Sequence, residues 1–109
     1  MANTFKNSWS EAVPTSQTDV YTTPSATTSI LIGLTLSNSS GSDITATVEL
    51  FDSSVGNSIT FLNAVSIPKN TALDVMRGNK INLEAGDKVQ GTAGTASSLN
   101  SFASILEIT

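Results

Sequence analysis

Apolar residues alternate with small polar residues along several short segments, and this alternation restricts the fold of the chain more than any other feature. Within residues 29–38, large aliphatic side chains recur at every second position: Ile30, Ile32, Leu34 and Leu36. A period of two places these side chains on one face of a strand, because successive side chains of a strand point to opposite sides. The segment therefore predicts a half-buried β-strand whose inner face carries these four residues, with Leu31 as an exception.

The two segments that follow repeat this pattern between polar, turn-rich stretches. Residues 44–52 place aliphatic side chains at even positions, with Thr and Glu between them. Residues 59–67 place apolar side chains at odd positions, so that Ile59 and Phe61 are expected to face inward, but Asn63 interrupts the row. Such an interruption in an otherwise regular strand is typical of a β-bulge. We therefore predict two further strands, the second with a bulge or a break at Asn63.

The rest of the chain predicts shorter strands and one long one. Residues 72–76 and 80–83 flank Arg-Gly-Asn at 77–79, which is typical of a tight hairpin because Gly and Asn tolerate positive φ. The last segment, 99–109, has apolar residues on both faces, which indicates a strand buried between two layers. No window has convincing helical periodicity. Seven or eight strands at this spacing predict an all-β chain, a single-domain antiparallel β-sandwich of jelly-roll or immunoglobulin-like form.

Residues 1–18 differ from the rest of the chain. They are polar, lack sustained periodicity and contain Phe5 and Trp9, the chain's only Trp. We interpret them as an extended N-terminal arm, with a short edge strand near residues 11–13, that precedes a β-sandwich domain at residues 19–109. Large aromatic side chains in a polar arm need a surface to cover. The arm either folds back over its own sheet or reaches a neighbouring subunit, and Phe5 and Trp9 are the predicted partner-contact residues.

The chain contains no His and no Cys, which removes most catalytic chemistry. These side chains supply the usual near-neutral general base, the strongest ordinary nucleophile and most transition-metal ligands. The carboxylates considered for acid–base work sit at predicted turns, where Asp caps its own backbone, or point outward from a strand: Asp43, Asp52, Asp87 and Glu49. We therefore expect no catalytic residues, no metal site and no cofactor, and predict that the protein is not an enzyme. A weak calcium site in a loop stays open as an alternative.

The charge balance argues against two classes of partner. The chain has five Lys or Arg residues against nine Asp or Glu, for a net charge of −4. Nucleic-acid binding needs a concentrated basic face, which Arg77 and Lys80 beside one turn do not form, and an anionic membrane surface is excluded on the same electrostatic ground. Residues 1–10 lack the apolar core of a secretory signal, and no apolar run is long enough to span a bilayer. We expect a protein that binds neither nucleic acid nor membrane and stays where it is made, unless it leaves within a larger particle.

From Val20 onward, six segments follow one another in an order that is found in a known group of proteins. They are Val20–Thr28, Ser29–Leu34, Ala46–Leu50, Val65–Pro68, Lys80–Val89 and Leu106–Thr109. In this order they resemble the small virion structural proteins of tailed bacteriophages, particularly those of marine and cyanobacterial phages. Residues 1–18 have no counterpart in this resemblance, and the resemblance implies no catalytic residues.

The resemblance implies a structural role in the virion, with assembly in the host cytoplasm. The expected function is that of a capsid decoration or cement protein, which binds the outer shell and bridges subunits of the major capsid protein. A homo-oligomer is expected, a trimer being one form. Two alternatives stay open: a component of the neck, tail or fibre base, and a glycan-binding adhesion module. The second would use Trp9 and Tyr21 as platforms on which sugar rings stack.

Overall fold

The computed structural model describes residues 2–76, 78–95 and 98–109, and these form nine β-strands and no helix. The prediction of an all-β chain is confirmed. The count exceeds the expected seven or eight because part of the segment interpreted as an arm is itself a strand. The strands are β1 (Asn3–Ser10), β2 (Thr18–Thr22), β3 (Thr28–Asn38), β4 (Ile44–Asp52), β5 (Asn57–Ile67), β6 (Thr71–Asp74), β7 (Ile81–Leu83), β8 (Lys88–Ala93) and β9 (Leu99–Ile108).

The strands form two antiparallel sheets that face each other across one core. In the first sheet β1, β9 and β3 lie side by side, and β6 and β7 both pair with the remaining side of β3. In the second sheet the order is β2, β8, β4, β5. If β6 and β7 are counted as one interrupted strand, the first strand pairs with the last, the second with the next to last, and so on inward to the β4–β5 hairpin. This nested order is that of a jelly roll, which decides between the two sandwich forms that the sequence left open.

A β-bulge in β3 changes which of its residues face the core. The pairing of β3 with β9 shifts register between Leu31 and Gly33. Because side chains alternate with a period of two, one extra residue exchanges the two faces beyond it. Leu31 is therefore buried together with Leu34, whereas Ile30 and Ile32 are only half-buried on the outer side. The predicted inner positions of Ile30 and Ile32 are wrong, and the exception at Leu31 marks the bulge.

Strand β4 follows the prediction, and β5 departs from it at its bulge. The expected inner residues of β4 are buried or partly covered: Ile44, Ala46, Val48 and Leu50. The β4–β5 ladder shifts register twice, and Ala64 adopts a positive φ of 48°, so the bulge predicted at Asn63 is confirmed. Phe61 has no partner on β4 at the second shift, and both Phe61 and Ile59 are exposed. Their predicted place in the core is wrong: the bulge leaves Phe61 unpaired, and Ile59 lies opposite Leu50 on an edge strand where the core does not cover it.

Strands β6 and β7 do not form the predicted hairpin. They pair antiparallel with residues 35–38 and 29–31 of the same strand, β3, and therefore run in the same direction. The amide of Val75 donates to the Leu34 carbonyl oxygen over 2.9 Å, so the chain stays on β3 as it leaves β6. Gly78 has the predicted positive φ, at 85°, while Arg77 lies outside the described residues. The turn residues therefore predicted a bend, but they did not identify β3 as the strand with which β6 and β7 pair.

The segment 1–18 packs against its own sandwich. β1 pairs with β9 over its whole length, and the Ser8 hydroxyl donates to the Val20 carbonyl oxygen of β2 over 2.7 Å. Val13 is buried in the core, and its amide donates to the Leu99 carbonyl oxygen over 2.7 Å. The edge strand expected near residues 11–13 lies instead at β1. The chain therefore takes the first of the two courses considered for this segment, folding back on its own sheet.

Candidate interaction surface

The outer side of the first sheet carries three exposed aromatic side chains. Phe5 is 75% exposed, Trp9 62% and Phe102 47%. Trp9 lies directly opposite Phe102, and Phe5 lies opposite Leu106, on the neighbouring strands β1 and β9. Residues that face each other across a ladder share one side of the sheet and touch. Together they form a continuous apolar surface, the aromatic face, which consists of Phe5, Trp9, Ile30, Ile32, Phe102, Leu106 and Ile108.

The aromatic face is uncharged across β1, β9 and β3. The registers place only neutral polar residues among its apolar ones: Asn3, Asn7, Thr28, Thr35, Ser37, Asn100 and Ser104. Lys6 of β1 points to the opposite side, where its ammonium nitrogen lies 3.5 Å from Glu107 Oε1. Asp74 borders the face on β6, opposite Thr35. A partner would therefore meet this face through shape and apolar contact rather than through ion pairs.

Two shallow grooves indent the aromatic face. One, with a volume of about 420 Å³, runs beside Trp9 and Phe102 and includes the polar residues Glu11 and Asn100. The other, with a volume of about 330 Å³, lies beside Phe5 and shares Phe102 with the first. Phe102 thus lines both grooves, and it lies on β9, the middle strand of β1, β9 and β3.

A buried polar cluster on the inner side holds β1 in place. The Tyr21 hydroxyl donates to Glu107 Oε2 over 2.5 Å and lies 2.7 Å from the Ser29 hydroxyl oxygen. Burial, together with the hydrogen bond to Glu107, raises the pKa of Tyr21 to about 12. The same carboxylate is paired with Lys6 of β1. Tyr21 therefore cannot be the exposed stacking platform that a glycan-binding module would need, and that expectation is wrong.

The carboxylates predicted at turns hold backbone amides. Asp52 Oδ1 accepts from the Ser54 amide over 3.0 Å, and the hydrogen bonds from Ser54 hold the pKa of Asp52 below its usual value. Asp43 Oδ1 accepts from the Lys69 amide over 2.9 Å. Across the described ranges, no three acidic, His or Cys side chains stand close enough to hold a metal ion. Those ranges also include no helix with the length and apolar character needed to cross a bilayer.

The structure brings both predicted contact residues to one surface. Phe5 and Trp9 are four residues apart on a strand, so they share its outer side. Their contact with a partner stays a prediction. Sequence reasoning missed the role of Phe102 and Leu106, because it took both faces of the last strand to be buried. Alternation does group these residues on one side of β9, but it carries no information on whether a second layer covers that side.

Comparison with known proteins informs the fold. No protein-family model matches the sequence, and no curated protein matches it. A solved structure of Bacillus endospore appendages, which are disulfide-linked pili, has a TM-score of 0.58 at 11% identity, covering 98% of this chain and 88% of that one. A pentameric capsid protein from metagenomic phage sequences has a TM-score of 0.38 at 20% identity, covering 95% of this chain and 63% of that one. Infectious bursal disease virus, Gt strain, gives a TM-score of 0.34 at 13% identity, covering 99% of this chain and 31% of that one.

These similarities bear on architecture alone. The appendage structure matches nearly the whole chain and supports the two-sheet fold. This chain has no Cys, so any assembly it forms does without the disulfides of those pili. The two viral structures superpose too loosely to support an argument. None of the three supports the narrower resemblance to proteins of marine and cyanobacterial phages.

Proposed function

We propose that this protein is a non-enzymatic structural subunit of a virion, and specifically a decoration or cement protein that binds the outer shell. It would bridge neighbouring subunits of the major capsid protein. The observation that carries this proposal is the uncharged aromatic face, on which no layer from the described part of the chain covers Phe5, Trp9 and Phe102. A jelly roll hosts many functions, so this surface and the resemblance to virion proteins support the proposed role, and the fold by itself does not.

The aromatic face has the properties that shell docking requires. Exposed aromatic clusters on a soluble domain usually mark a contact with another protein, and aromatic anchors dominate the energetics of such contacts. Beneath β1, the ion pair of Lys6 with Glu107 and the hydrogen bond of Tyr21 to the same carboxylate connect the sheet to β2. A symmetric shell repeats one modest contact many times, so a small footprint is sufficient.

Copy number in purified virions tests the proposal. Quantitative mass spectrometry would compare the amount of this protein with that of the major capsid protein in the same particles. A ratio near the number of capsid subunits, or a simple fraction of it, is the expected result. A handful of copies would place the protein in the neck, tail or fibre base instead. Absence from the particle would contradict a virion role.

Variants of the aromatic face test the mode of docking. Phe102→Ser and Trp9→Ala should each weaken binding to particles that lack the protein by roughly tenfold or more, because each removes an anchor of the contact. Ile59→Ser is the matched control, since Ile59 is 68% exposed but belongs to β5 of the other sheet. Cosedimentation with particles measures both effects. Equal binding by Phe102→Ser and the unmodified protein would contradict docking through this face.

A glycan-binding adhesion module is the second candidate, and the larger groove favours it. Trp9 and Phe102 stand beside this groove, and Glu11 and Asn100 offer polar atoms to sugar hydroxyls. With Tyr21 buried, the stacking surface reduces to these two rings. Saturable quenching of Trp9 fluorescence by an oligosaccharide would favour this candidate, and the same titration with Phe102→Ser would show whether the groove is the site.

A further inference from the structure

We infer that β1 is a self-association edge, through which two copies of this chain pair in an antiparallel, two-fold symmetric manner centred on Asn7. The pairing would join the first sheets of both copies into one continuous sheet. This pairing uses the edge of β1, whereas the proposed shell docking uses the face of the sheet. Failure of shell binding would therefore leave it untouched.

The backbone of β1 has an open row of hydrogen-bonding groups. Ala2 and Thr109 exchange two backbone hydrogen bonds, of 3.0 and 2.9 Å, and the β1–β9 register continues from this pair without a shift. Bonded and non-bonded pairs alternate in an antiparallel ladder, so the even residues of β1 bond to β9. The amide and carbonyl groups of the odd residues point away from β9, toward the edge: Asn3, Phe5, Asn7 and Trp9. Within the described part of the chain, no backbone group bonds to them there.

Of the sheet edges, β1 is the least protected against such pairing. β2 spans five residues and has a register shift next to Asp19, and β5 is broken by its bulge. β6 and β7 are only four and three residues long. Short strands, bulges and charges are the devices by which natural sheets avoid edge pairing. β1 has eight residues, no register shift and no Pro, and the charge of its one Lys is paired inward with Glu107.

The side chains of β1 select a second copy as the occupant, because their order is symmetric about Asn7. Phe5 and Trp9 lie two residues to either side of it. If two β1 strands pair with Asn7 opposite Asn7, each Phe5 faces the Trp9 of the other copy, and the amide side chains meet on the axis. A shift of two residues in either direction would place Phe5 opposite Asn7 or Glu11. The aromatic rings would then have no aromatic partner across the strands. Self-complementarity of this kind is what a two-fold interface requires.

The pairing would also extend the apolar rows that already cross the first sheet. Within one copy, Ile30, Leu106 and Phe5 are successive neighbours across β3, β9 and β1, and Trp9 is next to Phe102. Across the edge, the row would continue from Phe5 to Trp9 and Phe102 of the second copy. The two-fold axis stands perpendicular to the sheet, so both aromatic faces would point the same way. No like charges meet in this register, since Lys6 falls opposite Ser8.

The contact is small, and its size sets the concentration range of the test. It comprises about six backbone hydrogen bonds and four aromatic rings, at the low end of specific interfaces, so we expect a dissociation constant of roughly 1–100 μM. Sedimentation equilibrium of the unmodified protein should therefore show a reversible change from one to two chain masses over that range. A monomer at every concentration up to about 1 mM would overturn the inference.

Single cysteines test the register in a chain that has none of its own. In Asn7→Cys the two Cα atoms would lie about 5.5 Å apart, within the range that a disulfide spans. In the matched variant Asn3→Cys, which is on the same side of the same strand, the two Cys would lie eight residues out of register, roughly 27 Å apart. Mild oxidation should crosslink Asn7→Cys at least tenfold faster than Asn3→Cys. Equal rates, or faster crosslinking of Asn3→Cys, would overturn pairing centred on Asn7.

Discussion

Tyr21 is buried, and the pKa of its hydroxyl lies well above that of an exposed tyrosine. It is the only Tyr in the chain, and its hydroxyl is buried between Glu107 and Ser29. Ionisation would put a phenolate in a desolvated site beside a carboxylate, which is why the pKa rises from 10.0 to about 12. Because Glu107 also holds Lys6 of β1, this one hydroxyl links strand β2 to the strand that carries Phe5 and Trp9.

The first prediction is that Tyr21 titrates near pH 12 in the folded protein. Ionisation of the phenol raises absorbance near 295 nm, and with a single Tyr the change reports on this group alone. In urea-unfolded protein the midpoint should return to about 10. A midpoint near 10 in the folded protein would show that the hydroxyl is solvated and that the cluster does not form.

The same shift predicts how stability depends on pH. Below pH 10 the Tyr21 phenol is protonated in both the folded and the unfolded state, so its full contribution to the free energy of unfolding is present. As the pH rises from 10 toward 12 the unfolded state loses its proton first, and the free energy of unfolding falls by about 2–3 kcal/mol. Urea unfolding at pH 9, 10 and 11.5 measures the decline. Tyr21→Phe should show a smaller decline, and because the two proteins share every Lys, only the difference between them belongs to Tyr21.

At the scale of elements, Asp87 ties two loops of the sandwich together. It is buried, and its Oδ1 accepts from the amide and the hydroxyl of Ser53, both over 3.0 Å, in the loop after β4. Its Oδ2 accepts from the Glu84 amide over 2.9 Å, in its own loop between β7 and β8. Gly86 fits this loop because it has a φ of 88° and stands against Ser53, where a Cβ would be only 3.0 Å from the Ser53 hydroxyl oxygen.

We predict that Asp87→Ala lowers the free energy of unfolding by about 1–3 kcal/mol, because it leaves the part-buried amides of Ser53 and Glu84 without an acceptor. Asp52→Ala is the control. Asp52 Oδ1 accepts from the amide and the hydroxyl of Ser54 within its own exposed turn, so Asp52→Ala should lower the free energy of unfolding by less. Chemical denaturation of both variants measures the difference. Equal losses would mean that Asp87 acts as a local cap rather than as a tie between the loops.

The strands also show which parts of the fold could be predicted from the sequence. Alternation located strands β3, β4 and β5 and the inner residues of β4, because period two is a local property. It misplaced Ile30 and Ile32, since a bulge exchanges the faces of a strand and only the neighbouring strand reveals it. β1 was missed for a similar reason: its sequence is polar, and its partner, β9, lies at the other end of the chain. Phe5 and Trp9 were found by their chemistry, but the face they share with Phe102 needed the register.

At the scale of the whole molecule, charge and apolar surface are separated. The chain carries a net charge of −4, yet one broad side of the sandwich is uncharged across three strands. Repulsion between the acidic parts opposes nonspecific association, whereas the neutral side allows close approach without like-charge repulsion. This distribution fits a contact made through the neutral side, as the proposed docking requires.

The separation of charge from apolar surface predicts that salt has little effect on the affinity of the protein for particles. If the protein docks on particles through the aromatic face, raising NaCl from about 50 to about 500 mM should change its affinity by less than about threefold, because salt screens charges and not apolar contacts. Ammonium sulfate should strengthen binding, since it favours the burial of apolar surface. Cosedimentation across both salt series gives the affinities. A tenfold or greater loss in NaCl would shift the contact to the charged border of the sandwich, where Asp74 and Glu11 lie, and would remove the aromatic face from the docking model.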